Sequence, residues 1–186
     1  MIRFFDFFFS LMGIIFLSPL LILLWLIGLF DNRSPLFMQK RVGRYQQSFV
    51  LVKFRTMPIN TRFAGTHLIK DLKLTFFGKL LRSTKLDEIP QLFNVLLGDM
   101  SLVGPRPCLL NQKKLIIERK KKGVFKVKPG ITGLAQISGV TMKTPTLLAR
   151  TDLKMIKQIS LSYYFYYILK TLLLVIKQKP QQHSSK

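Results

Sequence analysis

The stretch 7-FFFSLMGIIFLSPLLILLWLIGLF-30 decides how the rest of the chain is read. Its 24 residues carry no formal charge. As one helix they would extend roughly 36 Å at 1.5 Å per residue, enough to cross a hydrocarbon core. Ser18-Pro19 sits at the middle. Pro19 has no N–H and its ring crowds the carbonyl four residues back, near Ile15, which predicts a kink or break. The adjacent serine can bond the carbonyl so freed. Three arrangements compete: a signal peptide, a kinked spanning helix, and a helix that enters one leaflet, bends and leaves on the same side. A signal peptide has a shorter apolar core and a small-residue cleavage site, and none follows Phe30. Arg3 flanks one end and Arg33, Lys40, Arg41 and Arg44 the other. Hydropathy leaves the last two arrangements open.

Composition agrees with a lipid contact. Hydrophobic residues are 48% of 186 and the mean hydropathy is +0.26, more apolar than one soluble domain of this length usually is. Yet Lys and Arg total 30 against 8 Asp and Glu, a net charge of +22. Such a charge repels itself and calls for an anionic partner: nucleic acid, an anionic bilayer or phosphorylated small molecules. The single cysteine, Cys108, excludes an internal disulfide and fits a reducing compartment. His67 and His183 have no cysteine nearby, so no zinc box is present.

Outward from the apolar stretch, the turn-rich 31-DNRSP-35 leads into two short strands, 36–40 and 48–54, around a polar turn containing Gly43. Residues 58–70 read as a loop. Apolar spacing predicts helices over 72–81 and 89–97, and a basic amphipathic helix over 111–122 ended by Gly123. Residues 161–176 place Tyr163 to Tyr167 beside an aliphatic run, a composition suited both to a bilayer interface and to a core helix. The tail from Lys177 is polar and predicted to fray. No internal repeat is present.

With eight carboxylates the search for chemistry is short. Only Asp87 and Glu88 are adjacent, in 81-LRSTKLDEIPQL-92. Pro90 belongs in a first turn, so a helix is predicted to start near Thr84 or Lys85, with Thr84 to Asp87 at capping-box spacing. Both carboxylates would then sit near unpaired N–H groups, ionised, as an oxygen nucleophile or metal ligand requires. Stability alone also places acids in first turns. In 104-GPRP-107 the flanking prolines stiffen the arm that carries Arg106, a side chain shaped for phosphate. The stretch 53-KFRT-56 adds two cations, and 128-KPGITGLAQ-136 has glycines that permit close backbone approach.

These stretches, with 39-QKRVG-43, 53-KFRTM-57, 86-LDEIPQL-92, 104-GPRP-107 and 129-PGITG-133 in this order, resemble the small monotopic polyprenol-phosphate phosphoglycosyl transferases, the bacterial sugar transferase family. The resemblance covers nearly the whole chain. It implies a mostly helical α+β fold, with a re-entrant membrane helix broken at Ser18-Pro19, amphipathic interfacial helices and a small β-hairpin or sheet. Its implied organisation is a membrane-embedded segment 1–32, a catalytic domain 33–178 on the cytoplasmic face of the bacterial inner membrane, and a flexible tail 179–186. In the implied reaction Asp87 attacks the β-phosphorus of a UDP-sugar, UMP leaves, and polyprenyl phosphate (undecaprenyl phosphate) takes the sugar phosphate, the first membrane step of surface glycan or glycoconjugate synthesis. A carboxylate nucleophile needs no base at neutral pH, and phosphoryl transfer depends on positioning and charge neutralisation.

The resemblance further implies that Glu88, with Asp87, holds a magnesium ion, and that Arg82, Arg106, Lys53 and Arg41 lie near phosphate. Asp152, ahead of a helix containing Ser160, matches a family aspartate and is implied to belong with the substrate- and phosphate-binding residues. Other implied partners are the UDP-sugar, an anionic bilayer and, optionally, a second copy of the chain, but no nucleic acid. The neighbourhoods 66-THL-68 and 107-PCL-109 suggest an N-acetylated amino sugar. Three positions depart from the family pattern: Lys85 replaces a usual serine, Val140 an arginine and Tyr164 an aspartate. Two other readings account for the charge: a nucleic-acid-binding protein, which Phe7–Phe30 fits poorly, and a non-catalytic basic membrane scaffold.

Overall fold

The computed structural model describes residues 1–59 and 74–177. The predicted loop beyond Ile59, the 66-THL-68 neighbourhood, the start of the helix predicted at 72, and the tail 179–186 lie outside the described residues.

The apolar stretch forms one helix, α1 (Ile2–Asn32), which Arg33 ends in the left-handed conformation (φ 55), its N–H donating to Leu29 O at 2.9 Å. The chain stays helical through Pro19, so the expected break is a lost hydrogen bond within a continuous helix. Ser18 Oγ donates to the Ile15 carbonyl at 2.8 Å and satisfies the acceptor that Pro19 leaves. Among the described residues α1 is the one helix long and apolar enough to cross a membrane.

One stripe of α1 packs on the rest of the protein along its whole length. Arg3 donates to the Val95 and Leu96 carbonyls, and a Cβ on Gly13 would meet Leu92 at 3.1 Å. Leu24 joins Phe54, Phe77 and Leu81 in a core cluster, and Gly28 lies against Pro35. The opposite face exposes Phe4, Phe8, Phe16, Ile22, Leu23 and Phe30. Asp6, 2% exposed, is the charge on the buried stripe. Its Oδ1 accepts from Ser101 Oγ, Leu102 N and Tyr164 OH, each at 2.9 Å. A buried carboxylate is tolerated when hydrogen bonds replace its water.

Strands β1 (Leu36–Val42) and β2 (Ser48–Phe54) form the predicted hairpin, antiparallel with Leu36 opposite Phe54 and Val42 opposite Ser48. Helix α2 (Phe76–Thr84) begins at Thr75, whose Oγ1 accepts from Gly78 N at 2.8 Å, and is followed by α3 (Gln91–Leu97). A second, parallel pair joins β3 (Ser101–Val103) to β4 (Gly130–Thr132). Between them lies the basic helix α4 (Lys113–Lys121); after them come α5 (Leu134–Ile137), α6 (Pro145–Gln158) and α7 (Leu161–Lys177). The fold is mostly helical α+β, as expected. The parallel pair and α6 were not foreseen. Ser160 stands between α6 and α7, where its Oγ accepts from Tyr163 N at 3.3 Å, rather than inside a helix.

Helix α7 combines the two roles its composition allowed. Tyr164 and Tyr167 are buried with Val103 and Met155, while Tyr163, Tyr166, Leu169, Leu172 and Ile176 are exposed. Phe5 and Phe9 of α1 pack edge-on against Phe165 at 5.3 and 6.0 Å between ring centroids, a favourable aromatic geometry.

Candidate active site

Asp87 and Glu88 do not begin a helix. They occupy a 3-10 turn, Leu86–Glu88, between α2 and α3. Lys85, left-handed at φ 61, ends α2 and redirects the chain into that turn. The predicted capping box is absent because Thr84 is the last residue of α2 and its Oγ1 bonds back to the Leu80 and Leu81 carbonyls at 2.8 and 3.2 Å. Asp87 is 5% exposed, and no hydrogen bond to its carboxylate is found among the described residues. Burial pushes the Asp87 carboxyl above its usual range and Glu88 adds to the push; Lys53, Arg82 and Arg106 restrain it.

Glu88, half-buried, has a different balance. Burial would raise its pKa, yet the Arg106 guanidinium, by charge and hydrogen bond, holds it below the usual range with help from Lys85 and Lys53. The neighbouring carboxyls are therefore driven apart, Asp87 towards easier protonation and Glu88 towards a fixed anion.

Three expected cations join this pair. Arg106 is exposed between buried Pro105 and Pro107, so the stiff arm holds only the guanidinium outward. Arg82, on the last turn of α2, is oriented by Thr56, whose Oγ1 accepts from its Nε at 3.0 Å. Burial pulls Lys53, at the end of β2, down to about 8, with Asp87 opposing. Arg41 lies at the edge of the cluster: burial first and Arg106 second pull it to about 10. It donates to Gln39 Oε1 at 2.7 Å and to Pro107 O at 3.3 Å, so it also braces the arm. Arg55 instead ties down the start of β1 through Ser34 O at 2.9 Å and Leu36 O at 3.2 Å.

Asp152 lies elsewhere. It is 1% exposed on α6 and pairs with Arg119 of α4, itself 2% exposed, at 2.8 and 3.0 Å. Arg119 Nη1 then donates to the Arg106 carbonyl at 2.8 Å. Asp152 thus acts on the cluster through Arg119 and the backbone that carries Arg106. The arm is also fixed from below: Gly104 N donates to Thr132 O at 2.8 Å, and Gly130 N to Pro105 O at 2.9 Å. A Cβ on Gly130 would fall 2.0 Å from Gly104 N, so the two backbones touch only because that side chain is missing. Gln136 Nε2 adds a bond to Gly104 O at 3.3 Å.

Sequence reasoning missed Arg119, which sits in a basic run that reads as a solvated face; an arginine at the buried position of an amphipathic helix was the available signal. It also missed Thr56 and Gln136, although both stand in quoted motifs. Of the departures, Val140 packs on the cluster of Val42, Cys108 and Leu148, while Tyr164 is the hydroxyl that holds Asp6. Pro107, Cys108 and Leu109 are buried, so that neighbourhood supports the arm from inside.

The carboxylate pair fits a magnesium site of the substrate-assisted kind. Among the described residues no group of three or more acidic, His or Cys side chains surrounds it. Magnesium usually takes one or two carboxylates and completes its shell with water and substrate phosphates. Glu88, held ionised, and the unbonded Asp87 carboxylate match that donor set.

Comparison with known proteins places this geometry in context. The model of the bacterial sugar transferase family matches residues 1–178. The chain is 41% identical over 157 residues to the undecaprenyl-phosphate galactose phosphotransferase of Salmonella typhimurium, covering 74% of this chain and 32% of that protein. It is 48% identical over 107 residues to the sugar transferase EpsL of Bacillus subtilis, covering 57% and 52%. A third relative, the UDP-N-acetylgalactosamine-undecaprenyl-phosphate N-acetylgalactosaminephosphotransferase of Aeromonas hydrophila, is 37% identical over 128 residues, covering 64% and 30%. The chain thus spans about a third to a half of the length of these relatives.

Proposed function

The chain belongs to the bacterial sugar transferase family, and from that premise we propose that it moves a sugar 1-phosphate from a UDP-sugar to polyprenyl phosphate through a covalent intermediate on Asp87. The observation that carries this reading is the Asp87 carboxylate, buried, free of hydrogen bonds among the described residues and facing the fields of Lys53, Arg82 and Arg106. A nucleophile in that state carries little solvation to shed before attack.

In the first step an Asp87 oxygen bonds to the β-phosphorus of the donor. The bond from that phosphorus to the bridging oxygen breaks, and UMP departs with the electron pair. Arg82, Lys53 and Arg106 neutralise charge on the phosphate oxygens as it moves. In the second step an oxygen of the acceptor phosphate bonds to the same phosphorus and the bond to Asp87 breaks. This regenerates the carboxylate and leaves a polyprenyl-diphosphate sugar. No proton needs to move in either step. Magnesium, held by Glu88 and Asp87, would supply further charge neutralisation on the diphosphate.

Placement in one leaflet is supported by two features, and the cytoplasmic face of the bacterial inner membrane is the side that the family resemblance implies. A spanning segment needs roughly 20 residues surrounded by lipid, whereas α1 packs on the same body of protein from Arg3 to Gly28. Its exposed aromatic face, continued by α7, suits immersion of one side. Residues 1–32 are then the embedded segment and 33–178 the catalytic domain. The donor would carry an N-acetylated amino sugar, a choice favoured by the Aeromonas relative and opposed by the galactose specificity in the name of the Salmonella one. Incubating the purified chain and its Asp87→Asn variant with magnesium, undecaprenyl phosphate and a panel of UDP-sugars, and measuring UMP, tests the reading. Release confined to the intact chain and strongest with an N-acetylated donor is the expected result. Equal release by the variant would refute it.

A further inference from the structure

A groove of about 310 Å³ runs from the site beneath α7. Its walls are Ile89 and Leu92 of the α3 side, Leu102 and Ile131 of the parallel strands, and Leu172 and Val175 of α7. Its charged residues are Lys85, Glu88 and Arg106, all of the acidic turn and the arginine arm, and Thr132, Gln136 and Thr171 are the other polar residues of its walls. An apolar trough that closes on cations is complementary to an amphiphile with an anionic head. A second apolar cavity, about 280 Å³ beside Ser18 and Pro90, has no charged residue in its walls and lacks that complementarity.

Resting on the transfer reaction above, we propose that this groove holds the acceptor lipid, its phosphate between Lys85 and Arg106 and its first isoprene units along Leu92, Leu172 and Val175. The volume agrees: at about 310 Å³ the groove is at the small end of ligand sites, roughly 300–1,000 Å³, enough for a head and the start of a chain whose remainder runs into lipid. Val175 and Leu172 sit on the same helix as the exposed Leu169, Leu173 and Ile176, so the tail leaves along a surface that is already apolar. Glu88 would repel a phosphate on its own, but Arg106 pairs with it and Lys85 adds positive charge beside it at the groove mouth. Lys85 is exposed and left-handed, so its side chain projects from the turn rather than packing beneath it. This assigns a function to the residue that departs from the family's usual serine.

Two variants test the groove. Val175→Trp fills it without touching the buried core clusters, and Lys85→Ser removes the charge at its mouth while keeping a residue that accepts the same turn. With undecaprenyl phosphate in detergent micelles, the acceptor KM is expected to rise roughly tenfold or more for Val175→Trp, and several-fold for Lys85→Ser with a weaker dependence on salt. The burst of UMP made with donor alone reports folding and the first step, and Val175→Trp, whose residue lies outside the acidic turn, should retain it. An unchanged acceptor KM with an intact burst would overturn the groove and leave the aspartyl transfer standing. Absence of the burst in the unsubstituted chain with every donor would overturn the transfer and the groove together.

Discussion

Replacing Lys53 by arginine asks whether a half-buried amine sets the upper pH limit of the enzyme. Burial pulls Lys53 down to about 8, Asp87 and Glu88 oppose the fall, and Arg82 and Arg106 assist it. The amine is charged below that value and neutral above it. If, as proposed, the charged form neutralises donor phosphate, kcat/KM for the UDP-sugar should be level near pH 7 and fall as pH rises through about 8. Occupancy of a single group makes the rate at pH 9 about tenfold lower than the plateau. A guanidinium stays charged there, so Lys53→Arg should carry the plateau beyond pH 9 even if its height drops. The acid side has the opposite sign: burial, and then Glu88, raise the Asp87 pKa, so the nucleophile is lost at a higher pH than an ordinary carboxylate would be. The assay is the initial rate of UMP release at subsaturating donor and constant ionic strength, from about pH 6 to about pH 9.5. A profile with no fall above pH 8, or the same fall in Lys53→Arg, would refute the reasoning.

Two further substitutions probe the supports. Asp152→Ala strands Arg119 in the core, and removing one partner of a buried pair costs about 3–5 kcal/mol; a thermal midpoint lower by on the order of 10 °C is expected, and an unchanged midpoint would show that the pair contributes nothing. Glu88→Gln weakens both the Arg106 contact and the metal site, so the magnesium concentration for half-maximal UMP release should rise about tenfold or more; an unaltered magnesium titration would remove Glu88 from the metal site.

Local signals made part of this molecule readable in advance. The apolar run, the hairpin around Gly43 and the adjacency of Asp87 and Glu88 are each written in a few neighbouring residues, and the structure retains them. The bond from Ser18 to Ile15 was legible because a proline frees a specific carbonyl. What could not be read depends on distant partners. Asp6 and Tyr164 are 158 residues apart, and nothing near either residue announces the other. Arg119 and Asp152 are likewise joined across 33 residues, which is why Asp152 resembled a ligand in the sequence and proves to be buried against an arginine. Strands β3 and β4, at three residues each, are too short to show a period of two. The acidic turn was misread as a helix start because Pro90 and Thr84 suggested one, while the left-handed Lys85 had already ended the preceding helix.

The central claim is the bond between Asp87 and phosphorus, and intact-protein and peptide mass spectrometry test it most directly. With donor present and acceptor withheld, the protein should gain the mass of one sugar phosphate, located on the peptide containing Asp87 and discharged when polyprenyl phosphate is added. Release of UMP with no adduct, or an adduct on any other residue, would contradict the account.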